Sequence, residues 1–169
     1  MHRIKKFLLA IDKTNRLIAR GVSWTILLII AATIYEVIMR YVFTSPTVWV
    51  FEFNYLLHGV YFMLLGAYTF AVGGHVRVDI VQNRLSPRAS AIVDLVTAPI
   101  VFIFLGLMIW YGGVFAMNSF GFRETLSTAW APPVWPVKMV MPIAATMVAL
   151  QAVAKFIRDL HLAVTGREI

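Results

Sequence analysis

Two carboxylates, Glu36 and Glu52, and one histidine, His58, stand inside long apolar runs, and through them this chain could do chemistry. An unpaired carboxylate at a bilayer centre costs about 2.5–3.5 kcal/mol, so each must hold a proton, pair with a cation or sit near a polar edge. Glu36 precedes Arg40 by four residues, the order that favours an ion pair along one helix. A local salt bridge or a contact to another subunit is therefore preferred over a proton or ion site. Glu52 can meet the same Arg40 across a hairpin. His58 invites a haem or metal reading, but ligation between helices needs a second histidine at matching depth. His75 lies beyond the far end of the same helix, and His2 and His161 fall outside the apolar runs. A buried histidine bonded to a neighbouring helix is the expectation. His75-Val76-Arg77-Val78-Asp79 alternates polar and apolar residues in an extended pattern. Only His75 and Asp79 are good ligands there, so Arg77 and Asp79 are expected to fix this connection against its own bundle or a partner.

The elements that must position these residues are membrane helices. Around Thr44 to Asp79, Ser45-Pro46 reads as a cap and a first helical residue, and apolar residues dominate from Val48 to Val72. Residues 48–73 are long enough to cross a bilayer. Trp49 falls at interface level. Gly59, Gly66 and Gly73 recur every seven residues and draw a smooth stripe for another helix backbone to approach. A first span covers about 22–39, with Trp24 at its start and Tyr35 and Tyr41 near its end. The short loop to Thr47 makes these two spans an antiparallel hairpin. Ser86-Pro87 repeats the cap-and-proline start, and the third span, about 91–116, contains Asp94, Pro99 and the aromatic pair Trp110-Tyr111, followed by a flexible Gly112-Gly113. Asn118 to Trp135 reads as an ordered cap with Arg123, Glu124 and Pro132-Pro133. The fourth span, about 134–154, carries a small-residue face of Ala145, Ala149 and Ala152.

Residues 1–20 lack the long apolar core and cleavage site of a signal peptide. At helical spacing Ile4, Phe7, Leu8, Ile11 and Ile18 share one face while Lys6, Lys13 and Arg20 lie opposite, the pattern of an amphipathic helix in the headgroup plane. The whole chain, 1–169, is thus expected to be one membrane domain: an all-α, integral-membrane four-helix bundle with an N-terminal interfacial helix.

Composition agrees. The chain is 60% hydrophobic and only 14% charged, with a mean hydropathy of +0.80; soluble domains are nearer half apolar and a quarter charged. The net charge of +7 is carried by residues between apolar spans rather than by a basic soluble module, which argues against nucleic acid. Of the 15 Lys and Arg, all but Arg40, Arg123 and Lys138 lie in the leader, the middle loop and the tail. This bias places both termini in the cytoplasm. Cysteine is absent, which excludes disulfides and zinc-thiolate sites. Without a phosphate loop, a nucleophile constellation or a cofactor box, the chain is not expected to be an enzyme or to hold a cofactor or metal. A small accessory subunit of a larger membrane complex fits best, beside two rivals: a stand-alone carrier or channel, and a membrane anchor of an electron-transfer complex.

Arg40-Tyr41-Val42-Phe43, Ser45-Pro46, Trp49 and Glu52, then Gly74-His75-Val76-Arg77-Val78-Asp79 and Leu85-Ser86-Pro87, together resemble the small permease subunit of tripartite ATP-independent periplasmic (TRAP) transporters, the DctQ-like family. Pro133, Trp135, Lys138, Pro142 and Leu150-Gln151 resemble its fourth-helix region. Phe51 departs from the pattern, because many members carry a second acidic residue there. The resemblance implies a bacterial inner-membrane subunit that scaffolds a large multi-span permease subunit. That partner moves substrate, commonly an organic acid, by an elevator motion coupled to an ion gradient, usually sodium, and a periplasmic substrate-binding protein delivers it. By the same resemblance Arg40, Trp49, Glu52, His75, Arg77 and Asp79 are structural or interface residues.

Overall fold

The described residues form five helices: α1 (His2–Ser23), α2 (Thr25–Tyr41), α3 (Val50–Ala71), α4 (Pro87–Gly121) and α5 (Trp135–Thr165). They come from a computed structural model that describes residues 2–72 and 86–166, with side chains from residue 5. Gly73, His75, Arg77 and Asp79 lie outside the described residues. Four stretches are long and apolar enough to cross a membrane: Lys5–Tyr41, Val50–Ala71, Pro87–Gly121 and Trp135–Thr165. Helices suit this setting because each satisfies its backbone hydrogen bonds within itself.

The expected all-α, four-helix architecture is present, and its layout is a row. α5 lies between α3 and α4, and α3 lies between α2 and α5, so α2 and α4 stand at the two edges. α1 crosses α3 and α5 at the lower end of the row. α4 and α5 form an antiparallel hairpin in which Phe102 meets Phe156 at 5.8 Å and Phe120 meets Trp135 at 5.2 Å between ring centroids. α4 has 35 residues and α5 has 31. At about 1.5 Å per residue both exceed the ~30 Å hydrocarbon core, so their ends reach into the polar layers.

Local expectations divide instructively. Ser86 caps α4 by accepting a hydrogen bond from the Ala89 amide at 3.3 Å, with Pro87 as the first helical residue. Ser45-Pro46 does not start α3, which begins at Val50 after Trp49. The reason lies in Thr47, whose amide donates to Glu36 Oε2 at 3.0 Å instead of waiting for a cap. Gly112-Gly113 is not a flexible break, since α4 continues to Gly121. A Cβ on Gly112 would lie 2.9 Å from Met141 Sδ, so this glycine is a packing residue of the α4–α5 contact. The packed face of α1 is also shifted from the expected apolar stripe. Leu8, Asn15 and Ala19 are buried while Phe7 is 51% exposed.

Candidate functional site

Most of the ionisable residues that stand out in the sequence gather at the upper end of the row, where the α2–α3 turn meets the α4–α5 loop. Glu36 lies in the last part of α2, one turn below Arg40. Arg40 donates to Glu36 Oε1 from Nη2 at 2.6 Å and from Nε at 3.1 Å. The other oxygen accepts both the Thr47 amide and the Thr47 hydroxyl. One carboxylate therefore ties the end of α2 to the start of the next segment. Thr44 adopts a positive φ of 49° to complete the reversal.

Trp49 is the next tie. Its ring lies 6.0 Å from Tyr35 on α2, 5.9 Å from Phe53 on α3 and 6.3 Å from Trp130 in the α4–α5 loop. Aromatic pairs at such separations each add roughly 0.5–1.5 kcal/mol beyond burial. The loop itself is folded, as expected of a cap. Thr125 and Pro133 form an antiparallel bridge, Leu126 N donates to Pro132 O at 3.0 Å, and Val134 N donates to Glu124 O at 2.9 Å. Lys138 donates to Glu124 at 2.5 Å and lies 4.1 Å from the centre of the Phe115 ring. That hydrogen bond from Lys138 holds the Glu124 carboxyl below its ordinary value.

Glu52 does not meet Arg40, because Arg40 is engaged by Glu36 within its own helix. Glu52 sits in the first turn of α3, where the helix dipole favours negative charge. Its Oε2 is shielded from solvent and has no hydrogen-bond partner among the described residues. Phe51 beside it is 79% exposed. The upper end thus holds a half-buried carboxylate, one oxygen of which has no partner among the described residues, next to an exposed apolar side chain.

Residues 29–162 of the 169 match the family described as tripartite ATP-independent periplasmic transporters, DctQ component. The chain belongs to the DctQ family. It is accordingly a small membrane component of a TRAP transporter, a family of transport proteins rather than enzymes, and a multi-pass membrane protein. DctQ proteins work with a large permease subunit and a periplasmic binding protein. No curated protein matches the chain.

Within this DctQ chain the remaining candidates among the described residues are Gly59, Gly66 and His58. Gly59 and Gly66 do face another helix, and it is the chain's own α5. A Cβ on Gly59 would meet Val137 Cγ1 at 3.8 Å, and one on Gly66 would meet Val148 Cγ2 at 3.7 Å. These are ordinary contact distances, so the stripe is a smooth seam rather than a backbone-to-backbone approach. His58 is half-buried and stacks on Phe62 with ring centroids 5.4 Å apart, with Tyr61 edge-on at 6.3 Å. The expected bond to a neighbouring helix is not present among the described residues, where the contacts of His58 are with rings of its own helix.

A second polar cluster, at the lower end, was not singled out by the sequence. Asn15 and Gln151 are 4% and 1% exposed. The Asn15 amide donates to Gln151 Oε1 at 2.7 Å, Gln151 Nε2 donates to Asp12 Oδ1 at 2.8 Å, and Arg158 donates to Asp12 Oδ2 at 2.6 Å. Lys155 bridges Asp94 on α4 and Asp159 on α5. Arg88 adds a hydrogen bond to the Ala163 carbonyl at 2.8 Å. Two signals were available. Asn15 falls seven residues after Leu8 on the packed stripe of α1, and Gln151 interrupts the alanine face of α5.

Proposed function

We propose that this DctQ protein is a scaffold for the large permease subunit, which carries the transport path. The observation that supports it best is the row of helices, α2–α3–α5–α4, whose two edges do not close on one another. A row is a wall, suited to widening a partner's scaffold, whereas a self-sufficient carrier needs helices arranged around a path. In this reading the chain is a single domain of a bacterial inner membrane, with both termini cytoplasmic as the Lys and Arg bias directs. The upper end then faces the periplasm and contributes to the surface where the substrate-binding protein docks. The substrate is an organic acid and the coupling ion sodium, both handled by the partners. Arg40 and Trp49 hold the upper end in shape, Glu52 faces the large subunit, and His75, Arg77 and Asp79 fix the cytoplasmic connection.

A pull-down of tagged chain from its native membrane in mild detergent tests the reading. Recovery of a multi-span permease in about equal amount is expected, and recovery of the folded chain alone overturns it. Glu52→Gln sharpens the test. Because Oε2 of Glu52 is shielded and has no hydrogen-bond partner among the described residues, the neutral amide should not lower the melting temperature of the isolated subunit. Loss of an interfacial ion pair should still lower permease recovery severalfold. Unchanged recovery would remove Glu52 from the interface.

A further inference from the structure

The outward face of α1 holds cations that no described acidic residue neutralises. Lys5, Lys6, Lys13, Arg16 and Arg20 are all exposed, and none has an ion-pair partner among the described residues. The single acidic residue of α1, Asp12, has its two carboxylate oxygens taken by Gln151 and Arg158 of α5. Lys6, Lys13 and Arg20 recur every seven residues and form one strip along the helix, with Arg16 beside it. The exposed Phe7 and Leu17 flank this strip with apolar surface.

Position matters as much as charge. Asp12 to Arg158 and Asn15 to Gln151 pin α1 against α5. Gln151 and Arg158 lie sixteen and twenty-three residues along α5 from Trp135. At about 1.5 Å per residue these positions fall roughly 24 and 35 Å from it, bracketing the far boundary of a ~30 Å hydrocarbon core. Trp24, at the junction of α1 and α2, is 70% exposed, as suits a ring at a membrane interface. α1 is therefore held at headgroup depth with its cations facing away from the bundle.

We propose that α1 is a binding surface for anionic phospholipid headgroups, in which Lys13, Arg16 and Arg20 take the phosphate and Phe7 and Leu17 lie along the acyl chains. Charge complementarity selects an anionic lipid over a zwitterionic one. The buried hydrogen bonds to α5 preorganise the strip, so that binding need not order the helix. This site does not depend on the large subunit or on the transported substrate.

The test uses the full chain in a neutral mild detergent, with bound lipid counted by native mass spectrometry. Phosphatidylglycerol and phosphatidylcholine of identical acyl chains are the probes, and glycerol 3-phosphate is the soluble competitor. Each basic residue engaged should favour the anionic lipid about fivefold, so a preference of at least tenfold is expected. It should shrink as salt rises from about 0.01 to about 1 M and the Debye length falls from ~30 to ~3 Å. Combined Lys13→Gln, Arg16→Gln and Arg20→Gln should reduce the preference to within about twofold, whereas Arg123→Gln in the α4–α5 loop should leave it intact. Competition by glycerol 3-phosphate as strong as that by the lipid would overturn the lipid assignment in favour of a free-phosphate site. A native chain that retains both lipids equally overturns the proposal, whether or not the triple variant folds. A folded triple variant that keeps the full preference overturns it as well.

Discussion

The two ends of the helix row are held by different kinds of tie. At the lower end, side chains join residues far apart in the chain: Asn15 to Gln151 across 136 positions, Asp12 to Arg158 across 146 and Asp94 to Lys155 across 61. At the upper end the polar ties of the turn and the loop are local, with Glu36 to Arg40 across 4 positions, Glu36 to Thr47 across 11 and Glu124 to Lys138 across 14, and the reach between them is a ring contact, Trp49 to Trp130. Local ties shape a turn or a loop without fixing how helices stand relative to one another. Distant ones do fix it, and at the lower end the Asn15–Gln151 bond is buried while the two ion pairs are part-buried. The difference implies that the lower end determines the tertiary arrangement, while the upper end is a set of preformed surfaces, with Glu52 left open.

The largest effect should come from breaking the lower end at its most buried member. Gln151→Leu leaves the Asn15 amide without an acceptor and removes one donor from Asp12. An unsatisfied buried group costs about 1–3 kcal/mol, so the unfolding free energy in mild detergent should fall by that amount. Trypsin should also reach Lys13 and Arg16 about tenfold faster as α1 loosens. Replacing Asn15 by Leu in the same chain should recover part of the loss, because removing both partners leaves less unsatisfied. Unchanged protection of α1 in the single variant would show that apolar packing alone holds it, and the contrast between the ends would disappear.

How much of this was legible follows from the same distinction. The apolar runs and their punctuation mark four membrane helices, because hydrophobic length is a local property. Glu36 with Arg40 was legible for the same reason. The partners of Asn15, Asp12 and Asp94 were not, since no spacing rule reaches across the chain. The sequence shows only that polar residues interrupt packed faces. Where local reading failed, a tertiary partner had intervened. Thr47 is captured by Glu36, so Ser45-Pro46 starts no helix. Gly112 lies against Met141, so a glycine pair that would end many soluble helices is a packing surface inside α4. His58 stacks along its own helix, a local option that the search for a partner on another helix passed over. Glu52 was legible as an edge charge, but its pairing was not, because Arg40 had a nearer acid.

At the upper end a smaller loss is expected. Arg40 is 54% exposed, so solvent screens its pairing with Glu36 and the pair contributes little. Glu36→Gln releases Arg40 yet still offers Thr47 an acceptor, so the loss of stability should be well below that of Gln151→Leu and the turn should persist. Glu36→Ala removes the acceptor as well, and hydrogen exchange at the Thr47 amide should accelerate in that variant only. A loss as large as that of Gln151→Leu would mean that the turn also governs helix placement.

The smallest effect is a pH response confined to the α4–α5 loop. Hydrogen bonding from Lys138 holds the Glu124 carboxyl below its ordinary value of 4.5. A carboxyl lowered in the folded state contributes stability that is complete above the unfolded value and is lost as pH falls through the folded one. Hydrogen exchange at the Val134 amide, which bonds the Glu124 carbonyl, should therefore be flat from neutral pH down to about 4.5, once corrected for intrinsic rates. It should rise below that point as Glu124 takes a proton and releases Lys138. Glu124→Gln should show the faster exchange already at neutral pH and no acid step. The Asn15 and Gln151 bond joins two amides, and Asp12→Asn removes the carboxylate that Gln151 also contacts, so in that variant amides of α1 near Asn15 should stay protected through the same window. If those amides open with the loop, the two ends are energetically one unit and the division between them fails. If only the loop opens, the upper end can reshape for a partner while the helices keep their places.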